Sequence, residues 1–196
     1  MHFFTLVVMP PGSNHDHDVE AYVDRAMAPF SEHLEVEEVT EDGETYWTNP
    51  DSFWDWYQIG GRWTGHLSDY EPENDPRNKQ PCRYCGQTGM REYADGNHGS
   101  CNVCDGTGIE TQWPTQWVRH SGDIARLGDV RGRLEESPPY YIVHEGVSRS
   151  ERHNPEWDGK FGAESTNPYF IPTTEIVDTL AGLADDCVVV VVDCHS

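Results

Sequence analysis

The chain has 196 residues, with 13 Lys+Arg against 35 Asp+Glu, a formal net charge of −22. That charge argues against direct binding of nucleic-acid phosphates or an anionic membrane, since both are repelled, and reads first as a well-solvated acidic surface and, where there is a partner, as favouring a basic one. Hydrophobic residues make up only 36%, yet 7 Trp, 9 Tyr and 6 Phe bring enough apolar surface for one core domain, with or without an insertion.

His2 to Met9 is apolar and β-branched and reads as a strand that Pro10-Pro11-Gly12 ends. Asp16 or Asp18 caps a helix through about Phe30, with Val19, Tyr22, Val23, Ala26 and Phe30 on one stripe. Leu34 and Val36 begin an acidic, edge-like strand. Asn49-Pro50-Asp51 resembles a helix start, followed by a short helix "DSFWDWYQ" that stops at Gly60-Gly61, after which "RWTGHL" reads as a strand. Residues 69–81 are polar, carry three prolines and read as a linker into a cysteine segment. A second connector follows Trp117, and "GDIARLGDVRGRLEE" reads as a helix broken by its glycines. "PYYIVHEG" is a strand, and 146–168 a long loop suited to closing over a site. Thr173 or Thr174 caps a helix to about Leu183, with Ile176, Val177 and Leu180 inward. "CVVVVVDC" is the last strand, and five consecutive valines place it centrally, covered on both faces.

The expected fold is therefore α+β: a mixed sheet with helices mainly on one face, of ferredoxin-like type, formed by 1–68 and 113–196. Residues 69–112 form an insertion. No apolar run reaches transmembrane length, and "FFTLVVM" lacks the basic flank of a secretory signal, so a cytoplasmic location is expected.

Cys82-x2-Cys85 and Cys101-x2-Cys104 are separated by 15 residues, within the spacing of four-cysteine zinc sites. A C-x2-C turn aims two thiolates at one ion, and two such turns complete a tetrahedron. Gly86 and Gly89, and Gly106 and Gly108, follow the pairs and allow the backbone to turn with positive φ. The prediction is one structural Zn2+ held by Cys82, Cys85, Cys101 and Cys104, with a redox dithiol or paired disulfides as the rival. His98 lies between the pairs and reads as a turn residue. "CNVCDGTG" resembles the C-x-x-C-x-G-x-G repeat of DnaJ-type cysteine-rich domains, whereas "CRYCGQTG" departs from it at Gln87. The resemblance covers residues 81–108 and implies a metal knuckle only.

"FWDWYQIGGRWTG" is the densest motif. Its aromatics read as core, and Arg62 is the one residue suited to gripping a carboxylate or phosphate. "MHFFTLV", "DWYQIGGRWTG", "PYYIVHEG" and "VVVVVDCH" resemble a set of small uncharacterised actinobacterial and phage proteins. That resemblance implies a phage accessory role in the host cytoplasm and no particular chemistry.

In "DCH", strand alternation separates Cys194 from His195 and lets Asp193 and His195 share a face. Cys194 then joins Val190 and Val192 as a buried thiol. His15-Asp16-His17-Asp18 offers metal-capable groups, read first as caps and solvated histidines. Three functions follow. The first is an acidic, zinc-stabilised binding protein acting on a basic or nucleic-acid-binding host factor, nucleic-acid mimicry being the special case. The second is an enzyme for an anionic or nucleotide-like ligand using Arg62 with Asp193 or His195, with the 146–168 loop as its lid. The third is a virion or assembly component.

Overall fold

A computed structural model describes residues 1–13, 19–144 and 173–196. The chain begins with β1 (His2–Met9), then α1 (Val19–Met27), whose last turn tightens to a 3-10 turn at Ala28–Phe30. The hairpin β2 (Glu37–Glu41) and β3 (Glu44–Thr48) precedes β4 (Trp56–Ile59). The cysteine segment holds β5 (Lys79–Pro81), β6 (Met90–Glu92), β7 (His98–Ser100) and β8 (Ile109–Thr111). The chain then forms β9 (Ile124–Arg126), α2 (Leu127–Glu136), β10 (Tyr141–His144), α3 (Thr173–Gly182) and β11 (Val188–His195).

A mixed five-stranded sheet runs β10-β1-β11-β4, and β9 pairs with β11 beside β4. β1 lies parallel to β10 and antiparallel to β11 over its whole length, from His2–His195 to Met9–Val188. The valine strand is central, as its composition predicts. Val188, Val190, Val192 and Cys194 pack with Phe3, Val7 and Met9 against Val19, Val23 and Met27 of α1. Val189 and Val191 pack with Phe4, Leu6 and Val8 against Leu127, Val130 and Leu134 of α2 and Ile176 and Leu180 of α3. Two helices thus cover one face and α1 the other. A strand apolar on both sides requires this three-layer arrangement, in an α+β fold with a mixed sheet and two of the three described helices on one face.

The helix expected at "DSFWDWYQ" is instead a turn followed by a strand. The Asn49 side chain accepts from the Asp51 amide at 3.0 Å and its carbonyl from Ser52 at 3.0 Å, closing a turn where a helix start was expected. Trp56–Ile59 then pairs with His195–Val192 on the free edge of β11, so the need to cover that edge overrides the local pattern. "RWTGHL" is not a strand but a 3-10 turn at Gly61–Trp63 and further turns. α2 runs unbroken through Gly128 and Gly132. A Cβ on Gly128 would lie 2.8 Å from Asp185 Cβ, so that glycine serves close packing. The acidic hairpin stays out of the main sheet and turns at Asp42 (φ 51°) and Gly43 (φ 86°), the two positive φ values a tight hairpin requires.

Residues 70–78 make hydrogen bonds among themselves and to Val118. Asp75 accepts from Tyr70 Oη (2.6 Å) and Arg77, and Asn78 bonds the Pro72 carbonyl (2.8 Å) and the Val118 amide (2.8 Å). The Tyr70 ring stacks on His120 at 3.8 Å. Among the described residues no helix is long and apolar enough to cross a membrane. "HDHD" at 15–18 and the 146–168 loop lie outside the described residues.

Candidate metal centre

The four cysteines converge. Their sulfurs all lie within 4.8 Å of one another, with Cys82–Cys101 at 3.9 Å and Cys85–Cys104 at 3.8 Å. A disulfide requires about 2.05 Å, so these pairs are not bonded, and all six cysteines of the chain are free. A tetrahedron with Zn–S near ~2.3 Å has an S–S edge of ~3.8 Å, which two of these separations match. Cys82, Cys101 and Cys104 are buried and Cys85 is half-buried.

The site is built from two copies of one turn, 19 residues apart, and each copy completes the other. The Cys82 amide donates to the Gly108 carbonyl (2.9 Å), and the Cys101 amide to the Gly89 carbonyl (2.8 Å). Thr88 Oγ1 donates to the Cys85 carbonyl (2.7 Å) and Thr107 Oγ1 to the Cys104 carbonyl (2.6 Å). The Gly108 amide reaches Cys104 Sγ at 3.3 Å. Gln87, where the resembled repeat has glycine, takes φ 71°, and its counterpart Gly106 takes φ 75°. The departure at Gln87 is therefore a strained residue in an unchanged backbone.

Gly89 and Gly108 are required by close approach. A Cβ on Gly89 would lie 2.2 Å from the Gly106 carbonyl oxygen, and one on Gly108 2.3 Å from that of Gln87. Gly89→Ala or Gly108→Ala should therefore weaken metal binding by roughly 5- to 150-fold in competition with a chromophoric chelator, from strain of about 1–3 kcal/mol. Gly86→Ala, where nothing lies within 4 Å of the new carbon, should cost less.

β5 pairs with β8 and β6 with β7, so the segment leaves and re-enters the chain at Lys79 and Thr111. Its buried cluster consists of the cysteines alone. Burial pushes the Cys82 thiol up to about 12. At Cys85 burial also pushes upward, but the Gly89 amide and the neighbouring sulfurs bring the thiol below its ordinary value. A cation is what would hold such a set as thiolates. His98 opens β7, exposed, and is not among the converging groups.

Of the residues considered for catalysis, Asp193 lies in the core, His195 is half-buried and the Arg62 side chain is exposed. Asp193 is fully buried; Oδ1 meets His2 Nδ1 at 2.9 Å and Oδ2 accepts from the Arg62 amide at 3.0 Å. With both oxygens engaged and no solvent access, Asp193 is an internal acceptor, not an exposed base. The Arg62 side chain is exposed, and it is the backbone of Arg62 that meets Asp193. Asp123, also fully buried, accepts from the Gly65 and His120 amides, both at 2.9 Å, while burial pushes its carboxyl up. The motif "IGGRWTG" is thus a loop wrapped around two buried carboxylates. A Cβ on Gly60 would lie 2.5 Å from Asp123 Oδ2, and one on Gly61 2.6 Å from Asp193 Oδ2.

Asp193 and His195 share a face, as alternation predicts, but do not pair. His195 Nδ1 bonds Asp55 at 2.9 Å, and its ring stacks on Trp56. Cys194 faces α1, and burial pushes its thiol up to about 12. Reasoning from sequence missed His2, Asp55 and Asp123, whose roles depend on partners 191, 140 and 58 residues away along the chain. Fold and site define an α+β protein carrying a four-cysteine, metal-competent segment. No family model, curated protein or solved structure matches the chain.

Proposed function

We propose that this is a zinc-stabilised acidic binding protein, an accessory factor of phage type, that acts by protein–protein contact with a basic partner. Cys82, Cys85, Cys101 and Cys104 hold one structural Zn2+, closed to substrate because all four positions are thiolates. The metal organises an insertion within the α+β core, residues 69–112, whose four short strands bury no apolar side chain and whose hydrophobic cluster is the cysteines themselves.

The observation that carries the reading is the β2–β3 hairpin. It stands outside the main sheet, and residues 32–44 contain seven carboxylates and no Lys or Arg. Tyr46 and Trp47 are exposed on it. A two-stranded hairpin with so little burial gains little stability of its own, which fits a surface kept for contact.

The test is capture from host lysate at low salt, comparing the native chain with a variant carrying Glu37→Gln, Glu38→Gln, Glu41→Gln and Glu44→Gln. The captured protein should bind the variant about tenfold or more weakly, and elute as ionic strength rises, at roughly 0.2–1 kcal/mol per lost charge pair. Capture insensitive to both salt and the four substitutions would refute charge-led recognition. A Cys82→Ser/Cys104→Ser variant run beside them reports whether the metal segment touches the partner.

A further inference from the structure

We infer that His2 and His195 form a second cation site, separate from the cysteines, which binds a borderline divalent transition-metal ion through the two Nε2 atoms. The two rings lie at one end of the central strands, where His2 and His195 are cross-strand neighbours. Each Nδ1 faces a carboxylate: His2 meets Asp193 at 2.9 Å and His195 meets Asp55 at 2.9 Å. A carboxylate oxygen accepts, so in each pair Nδ1 is the donor and Nε2 is the nitrogen with a lone pair to offer a cation. That arrangement, carboxylate to Nδ1 and no partner on Nε2 among the described residues, is how metal-binding histidines are oriented and made more basic.

The spacing allows one ion to be shared. The ring centroids are 5.1 Å apart, with planes at 73°. An ion ~2.1 Å from Nε2 lies about 3.2 Å from the centroid, so two rings on one ion at a tetrahedral angle stand about 5.2 Å apart. Trp56 lies against both rings, 5.4 Å from His195 and 5.2 Å from His2, and limits their rotation. The side chains remain accessible, 16% for His2 and 34% for His195, so an ion can enter and keep open positions for water. Two nearby carboxylates in a chain of net charge −22 favour a cation over an anionic ligand at this place. Imidazole donors select Zn2+, Ni2+ or Cu2+ over Mg2+ or Ca2+.

The experiment is calorimetric titration of Ni2+ into protein already loaded with one equivalent of zinc. One further equivalent should bind, His2→Gln and His195→Gln should each lower its affinity at least tenfold, and Asp55→Asn should lower it roughly 10–100-fold through loss of orientation. A His15→Ala/His17→Ala variant should bind as the native chain does. In the unmutated protein, paramagnetic Ni2+ should broaden the ring-proton NMR signals of His2 and His195 first, a readout that no folding defect can imitate. No second equivalent in the native chain, broadening confined to other histidines, or binding that follows His15 and His17 instead would overturn the assignment.

Discussion

Chelation of the purified protein is expected to release one equivalent of zinc and unfold residues 79–111, while the five-stranded core stays folded. The segment has no apolar core beyond its cysteines. Its strands are three residues long, and its buried cluster contains only cysteines. Structural zinc contributes about 10–16 kcal/mol of apparent binding energy in small zinc modules, and that energy becomes folding energy where no apolar core exists. The core has its own two clusters, with nine apolar residues of β1 and β11 completely sealed, and shares none of them with Cys82, Cys85, Cys101 or Cys104. Amide NMR spectra would decide the matter: cross-peaks of 79–111 should collapse toward random-coil positions, and those of Val188–Cys194 should hold. Cys101→Ser should produce the same pattern. A segment that keeps its dispersed peaks after metal removal, or a core that melts with it, would contradict this division.

Gly61→Ala should destabilise the core by about 3 kcal/mol or more, lowering Tm by roughly 6–12 °C for a chain of this size. Two costs combine. Gly61 has φ 55°, where alanine loses about 1–2 kcal/mol. The new carbon would also lie 2.5 Å from Asp193 Cβ and 2.6 Å from Oδ2, so the carboxylate must move. Moving it breaks the bonds from the Arg62 amide and His2 and leaves a buried charge unsatisfied. Gly12→Ala is the matched control: φ is 77° and nothing lies within 4 Å, so only the backbone cost remains, about 1 kcal/mol. Equal shifts in Tm for the two variants would show that the loop does not depend on Asp193.

The cysteine set was legible because its ligands come in local pairs. A C-x2-C turn brings two sulfurs together without help from the rest of the fold, and glycines at 86, 89, 106 and 108 mark the same turns. The valine run was legible for a similar reason, since a strand apolar at every position must be covered on both sides. The loop "IGGRWTG" was misread because its glycines answer to Asp123 and Asp193, and nothing in the neighbouring sequence announces a carboxylate 58 or 131 residues away. The aromatic stretch before it has spacing that suits a helix, and the vacant edge of β11 made it a strand.

What the amino-acid order determined by itself is the chemistry that acts over a few residues: the acidic surface, the four thiols in paired turns and the two-sided apolar strand. The tertiary structure decided which strands fill the sheet, that α1 lies opposite α2 and α3, and that His2 and His195 each face a distant carboxylate. The physical reason is range. Turn geometry and side-chain burial are fixed by neighbours, whereas a buried charge selects its partners only once the chain has closed around it.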